Sequence, residues 1–138
     1  MDLIKQMNYE KFIDPKIRYF WQNIHEVSWE NKVQISSFFA LTKLQISLEN
    51  LVLPANNFDL IYYDAFAPSK QSEIWQPENL QKVYDLLKPN GILVTYCAKG
   101  QFKRDLIKIG FEIESPKGSI GKQEMVRATK KNLGNKNA

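Results

Sequence analysis

Asp64, Ala65, Phe66, Ala67 and Pro68 stand together at the end of an apolar run, with Lys70 and Trp75 close behind. As a chemical unit they offer a carboxylate that accepts hydrogen bonds, an aromatic face beside it and a proline that stiffens the turn. That set suits an amine. The carboxylate orients the N–H bonds, the ring packs on a flat or cationic group, and a rigid backbone carbonyl accepts a further hydrogen bond. The same acid also suits an Asx-turn or the cap of the following helix. One of these uses is needed, because a carboxylate ending an apolar strand costs free energy unless something binds it.

The stretch "FDLIYYD", short, apolar and rich in β-branched and aromatic residues, predicts a buried strand ending at Asp64. Gln76-Pro77 opens a helix with Leu80, Val83, Tyr84 and Leu87 on one face, and "KPNG", Lys88 to Gly91, closes it. "ILVTYCA" is a second apolar strand, and "GQFKRDLIKIG" a short helix with Phe102, Leu106 and Ile109 inward, ending at Gly110. "FEIES" follows as a third strand. Beyond the loop "PKGSIGK", "EMVRATK" alternates as an edge or antiparallel strand does. Upstream, Asp14 as N-cap and Pro15 at the first helical position predict a helix whose face is Ile17, Phe20, Trp21 and Ile24, an aromatic stripe read as core. Val33 to Ile46 predicts a strand pair or one kinked strand. Strands alternating with helices argue an α/β fold: a mostly parallel sheet with an antiparallel edge strand and helices on both faces. In such sheets ligands sit beyond the carboxyl ends of the strands, where Asp64 and Ala98 to Gly100 fall.

The chain has 138 residues, 43% hydrophobic and 25% charged, as expected of one globular domain. One cysteine and one histidine exclude an internal disulfide and are too few for a zinc or iron–sulfur site, so no metal is expected and Cys97 is read as core. No apolar run approaches eighteen residues and no charged-then-apolar leader is present, so a cytoplasmic protein without a membrane span is expected. The net charge of +4 is concentrated in residues 98–138, which carry ten Lys and Arg against four Asp and Glu. Such an end attracts a polyanion such as RNA, and it equally fits solvated lysines on a surface helix and a polar tail.

"DLIYYDAFAPSKQSEIW", "LLKPNGILVTYCAKGQFKRDLIKIGF" and "GKQEMVRA" together resemble the methyltransferase family that completes the 5-methylaminomethyl group on the wobble uridine of certain tRNAs. The family's motif is an acid, a small residue, Phe, a small residue and Pro, then Lys and Trp. It falls on Asp64, Ala65, Phe66, Ala67, Pro68, Lys70 and Trp75. Its second block falls on Pro89, Gly91 and Ala98-Lys99-Gly100, and the resemblance runs over about residues 8 to 130. It implies a Rossmann-like class I methyltransferase sheet, S-adenosylmethionine as methyl donor and an exocyclic amine of a modified uridine in tRNA as acceptor. Methyl transfer is an in-line displacement, so the nitrogen lone pair must be placed behind the donor's methyl group. The resemblance implies Asp64 as the catalytic group that orients the amine, and Ser47, Asp64, Ala65 and Phe66 against the donor. Phe66, Pro68, Lys70, Trp75, Lys99, Lys103 and Arg104 would contact the substrate. A carboxylate is too weak a base to deprotonate an alkylammonium outright, so orientation is the role expected of Asp64.

The sequence departs from that family in three places. No Gly-x-Gly occurs, and the first glycine of the chain is Gly91, so the glycine-rich turn that cradles the donor is not found. Ser47 stands where relatives carry an acid near the adenine. The sheet is expected to lack its first two strands. Residues 1–130 then form a partial methyltransferase domain and 131–138 a disordered polar tail. Weak or no donor binding by these residues alone is expected. A non-catalytic RNA-binding remnant and a small-molecule amine N-methyltransferase are the alternative readings.

Overall fold

A computed structural model of the chain describes residues 6, 8–117 and 124–132. Residues 118–123 of the predicted loop and 133–138 of the predicted tail lie outside the described residues. The contacts divide the chain into two compact units, Met1–Ile46 and Ser47–Ala138.

The first unit holds a 3-10 turn (Asn8–Phe12), helix α1 (Arg18–Glu26) and an antiparallel pair, β1 (Lys32–Ser36) and β2 (Phe39–Thr42), with an irregularity between Gln34 and Ser36. The strand pair expected within 33–46 is therefore present. The helix begins later than Asp14-Pro15 predicts. Asp14 closes a turn instead: its carbonyl accepts from the Ile17 N–H at 3.0 Å and its Oδ1 from the Lys16 N–H at 2.9 Å. The Ile17, Phe20, Trp21, Ile24 stripe is not a core within this unit, where no residue of α1 is buried and Ile17 is 54% exposed. A nine-residue helix and a two-stranded ribbon have too little surface to enclose a core of their own.

The second unit carries the site. Its strands are β3 (Phe58–Tyr62), β4 (Leu87–Thr95), β5 (Phe111–Glu114) and β6 (Val126–Lys130), in the order β3-β4-β6-β5. β3 and β4 are parallel, and β6 is antiparallel to both β4 and β5, so three strands share one direction. The antiparallel strand lies one place in from the edge. Its side chains explain that position, since Val126 and Ala128 are fully buried and need a covered face.

Helix α2 (Pro77–Leu86) joins β3 to β4, and α3 (Gly100–Ile109) leads from β4 to β5. Leu80, Val83, Phe102 and Leu106 form one core with Leu93, Phe111, Val126 and Ala128, as the periodicity predicts, and Leu87, expected on the helix, joins that core from the start of β4, so "KPNG" lies in the strand and does not close the helix. The register sets Leu93 beside Ile61 and Ala128, so both helices cover that face of the sheet. Helices on both faces were expected. Two successive crossovers of the same hand that step across the sheet in the same direction put both helices on one side. The opposite side of β3 is consequently open. Leu60 is 43% and Tyr62 74% exposed, and β3 is an edge strand rather than one buried on both faces.

Lys130 ties the sheet to the end of α2. Its Nζ donates to the carbonyls of Tyr84 and Leu87 at 3.0 and 2.7 Å and to Asn56 Oδ1 at 2.9 Å, and it lies over the Tyr84 ring. Carbonyls at a helix C-terminus lack intrahelical donors and carry the negative end of the dipole, so a cation there satisfies both. Lys130→Met is expected to lower stability by about 2 kcal/mol in urea unfolding, the scale of lost hydrogen bonds to a charged group.

Candidate active site

β3 ends at Tyr62, and Tyr63 continues its ladder by donating its N–H to the Val94 carbonyl at 2.8 Å. Residues 63–67 then leave regular structure, and a turn forms in which the Ala67 carbonyl accepts from the N–H groups of Lys70 (2.7 Å) and Gln71 (3.1 Å). The chain returns through a 3-10 turn, Glu73–Trp75. Trp75 is buried, and its indole packs edge-on against Tyr63 and against Phe102 of α3, with ring centroids 5.2 and 5.1 Å away. Its Nε1–H donates to the Phe66 carbonyl at 2.9 Å. The Tyr63 hydroxyl donates to the Ile74 carbonyl. Burial, with a smaller effect of the Glu49 charge, raises the Tyr63 phenol above its ordinary range, so it keeps its proton and remains a donor.

Asp64 stands exposed on this pinned loop. Among the described residues its carboxylate has no hydrogen bond or ion pair, so neither the Asx-turn nor the helix cap open to it is formed. It borders two hollows. One, of about 290 Å³, is lined by Asp64, Ala65, Ala67, Pro68 and Trp75 on one side and by Thr95, Tyr96, Cys97, Ala98 and Lys99 on the other. The second, of about 460 Å³, is lined by Tyr62, Tyr63, Asp64, Ala65, Phe66, Gln71 and Ile74. Asp64 and Ala65 belong to both and form the wall between them.

The structure gathers Asp64, Ala65, Phe66, Pro68, Trp75 and Lys99 at these hollows and leaves the other predicted residues elsewhere. Ser47 lines neither. Its Oγ accepts from Asn50 Nδ2 at 3.0 Å beside a short turn, Leu48–Asn50, whose carbonyls at Leu48 and Glu49 hold Lys82 Nζ. Lys70 is exposed and also outside both. Lys103 is engaged by Glu124 at 2.7 Å and Ser115 at 3.0 Å, and Arg104 by Gln101 at 2.8 Å. Arg127 and Lys131 pair with Glu114 and Glu112. These four cations are engaged by neighbours, while the net excess of basic residues in 98–138 is unchanged, because the acids they meet lie in the same segment. Cys97, expected in the core, is half-buried and lines the first hollow. Thr95, Tyr96, Gln71 and Ile74 were not singled out by sequence. The rule of strand ends pointed to Ala98 onward, two or three residues past Tyr96 and Thr95, while Gln71 and Ile74 reach the second hollow through loop closure. Among the described residues no group of three or more His, Cys, Asp or Glu can hold a metal ion, and no helix is long and apolar enough to cross a membrane.

Residues 8–131 match the family model of S-adenosyl-L-methionine-dependent methyltransferases. The tRNA 5-methylaminomethyl-2-thiouridine biosynthesis bifunctional protein MnmC of Psychrobacter sp. (strain PRwf-1) is 37% identical over 92 residues, 67% of this chain and 12% of that protein. The MnmC protein of Cupriavidus metallidurans is 32% identical over 105 residues, 76% of this chain and 15% of that protein. The chain therefore spans about an eighth to a seventh of the length of these relatives. The crystal structure of MNMC2 from Aquifex aeolicus superposes with a TM-score of 0.63 at 21% identity, covering 86% of this chain and 38% of that one, and shows the same α/β fold. With a donor-dependent family model matched over nearly its whole length, the chain belongs to the S-adenosyl-L-methionine-dependent methyltransferase family.

Proposed function

We propose that the protein transfers the methyl group of S-adenosylmethionine to the aminomethyl nitrogen of a modified wobble uridine in tRNA, with Asp64 orienting the amine. The observation that carries this reading is the Asp64 carboxylate, without a partner among the described residues, in the wall between two hollows, beyond the carboxyl end of a parallel strand. The tRNA is supplied by the relatives, which are tRNA 5-methylaminomethyl-2-thiouridine biosynthesis proteins.

The residues present fit part of the donor. S-adenosylmethionine is cationic at sulfur and carries an ammonium group, and the exposed Asp64 carboxylate beside Ala65, Ala67 and Ala98 offers it negative charge with room alongside. When bound, the donor supplies an electrophilic methyl group on its sulfonium. Asp64 and Ala65 would hold it from the loop side. Toward the acceptor, the Asp64 carboxylate accepts N–H bonds of the neutral amine and fixes the direction of its lone pair. As the nitrogen gains positive charge, the carboxylate stabilises it. The backbone carbonyl of Ala67 does not share this task, because the Lys70 and Gln71 N–H groups already take both its lone pairs, while that of Phe66, held by Trp75, keeps one. Phe66, 76% exposed beside the second hollow, offers an aromatic face to the base.

The test is transfer of labelled methyl from the donor into tRNA that lacks the modification, run beside simple alkylamines. Incorporation into tRNA alone is expected. Equal use of free amines would move the reading to a small-molecule N-methyltransferase.

A calorimetric titration separates catalysis from RNA binding alone. With no Gly-x-Gly among the 138 residues, S-adenosylmethionine is expected to bind this chain weakly; micromolar affinity would overturn that expectation, and no binding at any donor concentration would leave RNA binding alone.

A further inference from the structure

We infer that Trp75 is a positioning residue for this reaction: its indole N–H, fixed in a buried aromatic stack, holds the Phe66 carbonyl and through it the Asp64 carboxylate in the wall between the two hollows. The inference rests on the reading of Asp64 as the group that orients the amine. By sequence Trp75 belongs with the substrate contacts. The structure shows its ring only 9% exposed, with its one polar atom turned toward the loop rather than toward either hollow's contents.

Three observations place it in this role. First, the ring is held edge-on by Tyr63 at 5.2 Å and by Phe102 at 5.1 Å, with interplanar angles of 89° and 86°, so it has little freedom to turn. Tyr63 immediately precedes Asp64. Phe102 lies in α3, which starts next to Lys99 on the far side of the first hollow, so one ring is in register with both walls. Second, the loop is closed twice at its base. The Tyr63 hydroxyl bonds the Ile74 carbonyl and the Trp75 Nε1–H bonds the Phe66 carbonyl at 2.9 Å, so residues 64–66 lie between two fixed points. Third, among the described residues the Asp64 carboxylate has no hydrogen bond or ion pair that holds it. Its position is inherited from the backbone on either side. Position matters more than contact here, because small displacements of an orienting group are costly in an in-line transfer.

The test replaces the Trp75 indole by benzothiophene, as benzothienylalanine, which keeps the ring shape and puts sulfur in place of the N–H. The Trp75→Phe variant accompanies it. Two measurements are made on the full chain: amide hydrogen exchange at the hydrogen-bonded loop amides of Tyr63, Lys70 and Gln71 and in α2, and the methyl-transfer rate at saturating donor and acceptor. Loss of one buried hydrogen bond is worth about tenfold. Exchange at the Tyr63, Lys70 and Gln71 amides is expected to speed up about tenfold, and kcat to fall about tenfold or more in protein that stays folded, with the unfolding midpoint lowered by no more than the loss of that one hydrogen bond. If loop and α2 exchange rise together and activity follows only the folded fraction, Trp75 is packing and the inference fails. It also fails if the benzothienylalanine protein exchanges and turns over like the parent. The exchange measurement needs no substrate, so a loop that loosens in a protein whose parent methylates nothing would sink the proposed function while leaving the hydrogen bond's hold on the loop demonstrated.

Discussion

Asp64→Asn lowers the rate of methyl transfer by about two to three orders of magnitude at saturating donor, and leaves the unfolding midpoint where it was. The two halves of that expectation come from different observations. The rate falls because asparagine keeps the size of the side chain and loses its charge. An amide can still accept one N–H bond, but its NH2 group competes in the wrong sense for the same place, and it no longer stabilises positive charge on nitrogen. Removing one preorganised electrostatic partner of a developing charge costs on the order of a hundred- to a thousandfold. Stability holds because the carboxylate is exposed and has no partner among the described residues, and substitutions at such sites stay within about 0.5 kcal/mol. Asp64→Glu is a useful companion. It restores the charge at the end of a longer side chain, so a rate well below the parent's would show that place as well as charge is required. Donor concentrations high enough to offset weak binding keep the comparison on the transfer step. A parent-like rate in Asp64→Asn would remove Asp64 from the chemistry.

The parts of the fold legible in the sequence are those whose determinants are local. Leu80 and Val83, and Phe102 and Leu106, recur at helical spacing, and each is fully or almost fully buried where that spacing put it, while Leu87, expected on the same helix face, is buried as the first residue of β4. The motif around Asp64 was also local, and it folds into one loop. What was not legible depends on distant parts of the chain. Asp14-Pro15 is as good a turn as a helix start, and the choice fell to hydrogen bonds that sequence does not display. "FDLIYYD" has the composition of a buried strand, but whether its two faces are covered depends on which strands and helices lie beside it. Lys103 looked free for phosphate because its partner Glu124 lies 21 residues away, beyond a loop. The role of Trp75 was hidden for the same reason, since its acceptor is a backbone carbonyl nine residues back, brought there by loop closure.

Gly91→Val is expected to destabilise the second unit by about 3 kcal/mol and to disturb the site from a distance. The "KPNG" segment does not end α2. It lies within β4, which pairs Leu87 with Phe58 and then Ile92 with Leu60, so residues 88–91 bulge out opposite a single residue of β3. Asn90 takes the left-handed conformation there, at φ 64°. Gly91 is buried, and a Cβ on it would stand 2.8 Å from the Lys88 carbonyl oxygen and 3.1 Å from that of Phe58. Both obstacles are backbone, one of them in the neighbouring strand, so neither yields by rotating a side chain. Alanine already forces the two strands apart, and valine adds two methyl groups to the same space. The displacement has a direct route to the site. β3 and β4 remain in register from Leu60–Ile92 to Tyr62–Val94, and Tyr63 bonds Val94, so any slide of one strand moves Asp64 relative to Thr95 across the first hollow. Urea unfolding should therefore show the lowered midpoint, and faster exchange of the Tyr63 amide should accompany it. Gly91→Ala should lose more activity than its smaller loss of stability accounts for. If Gly91→Val unfolds at the parent's midpoint, the bulge absorbs the side chain, and β4 is not the rigid rail that holds the two walls of the hollow together.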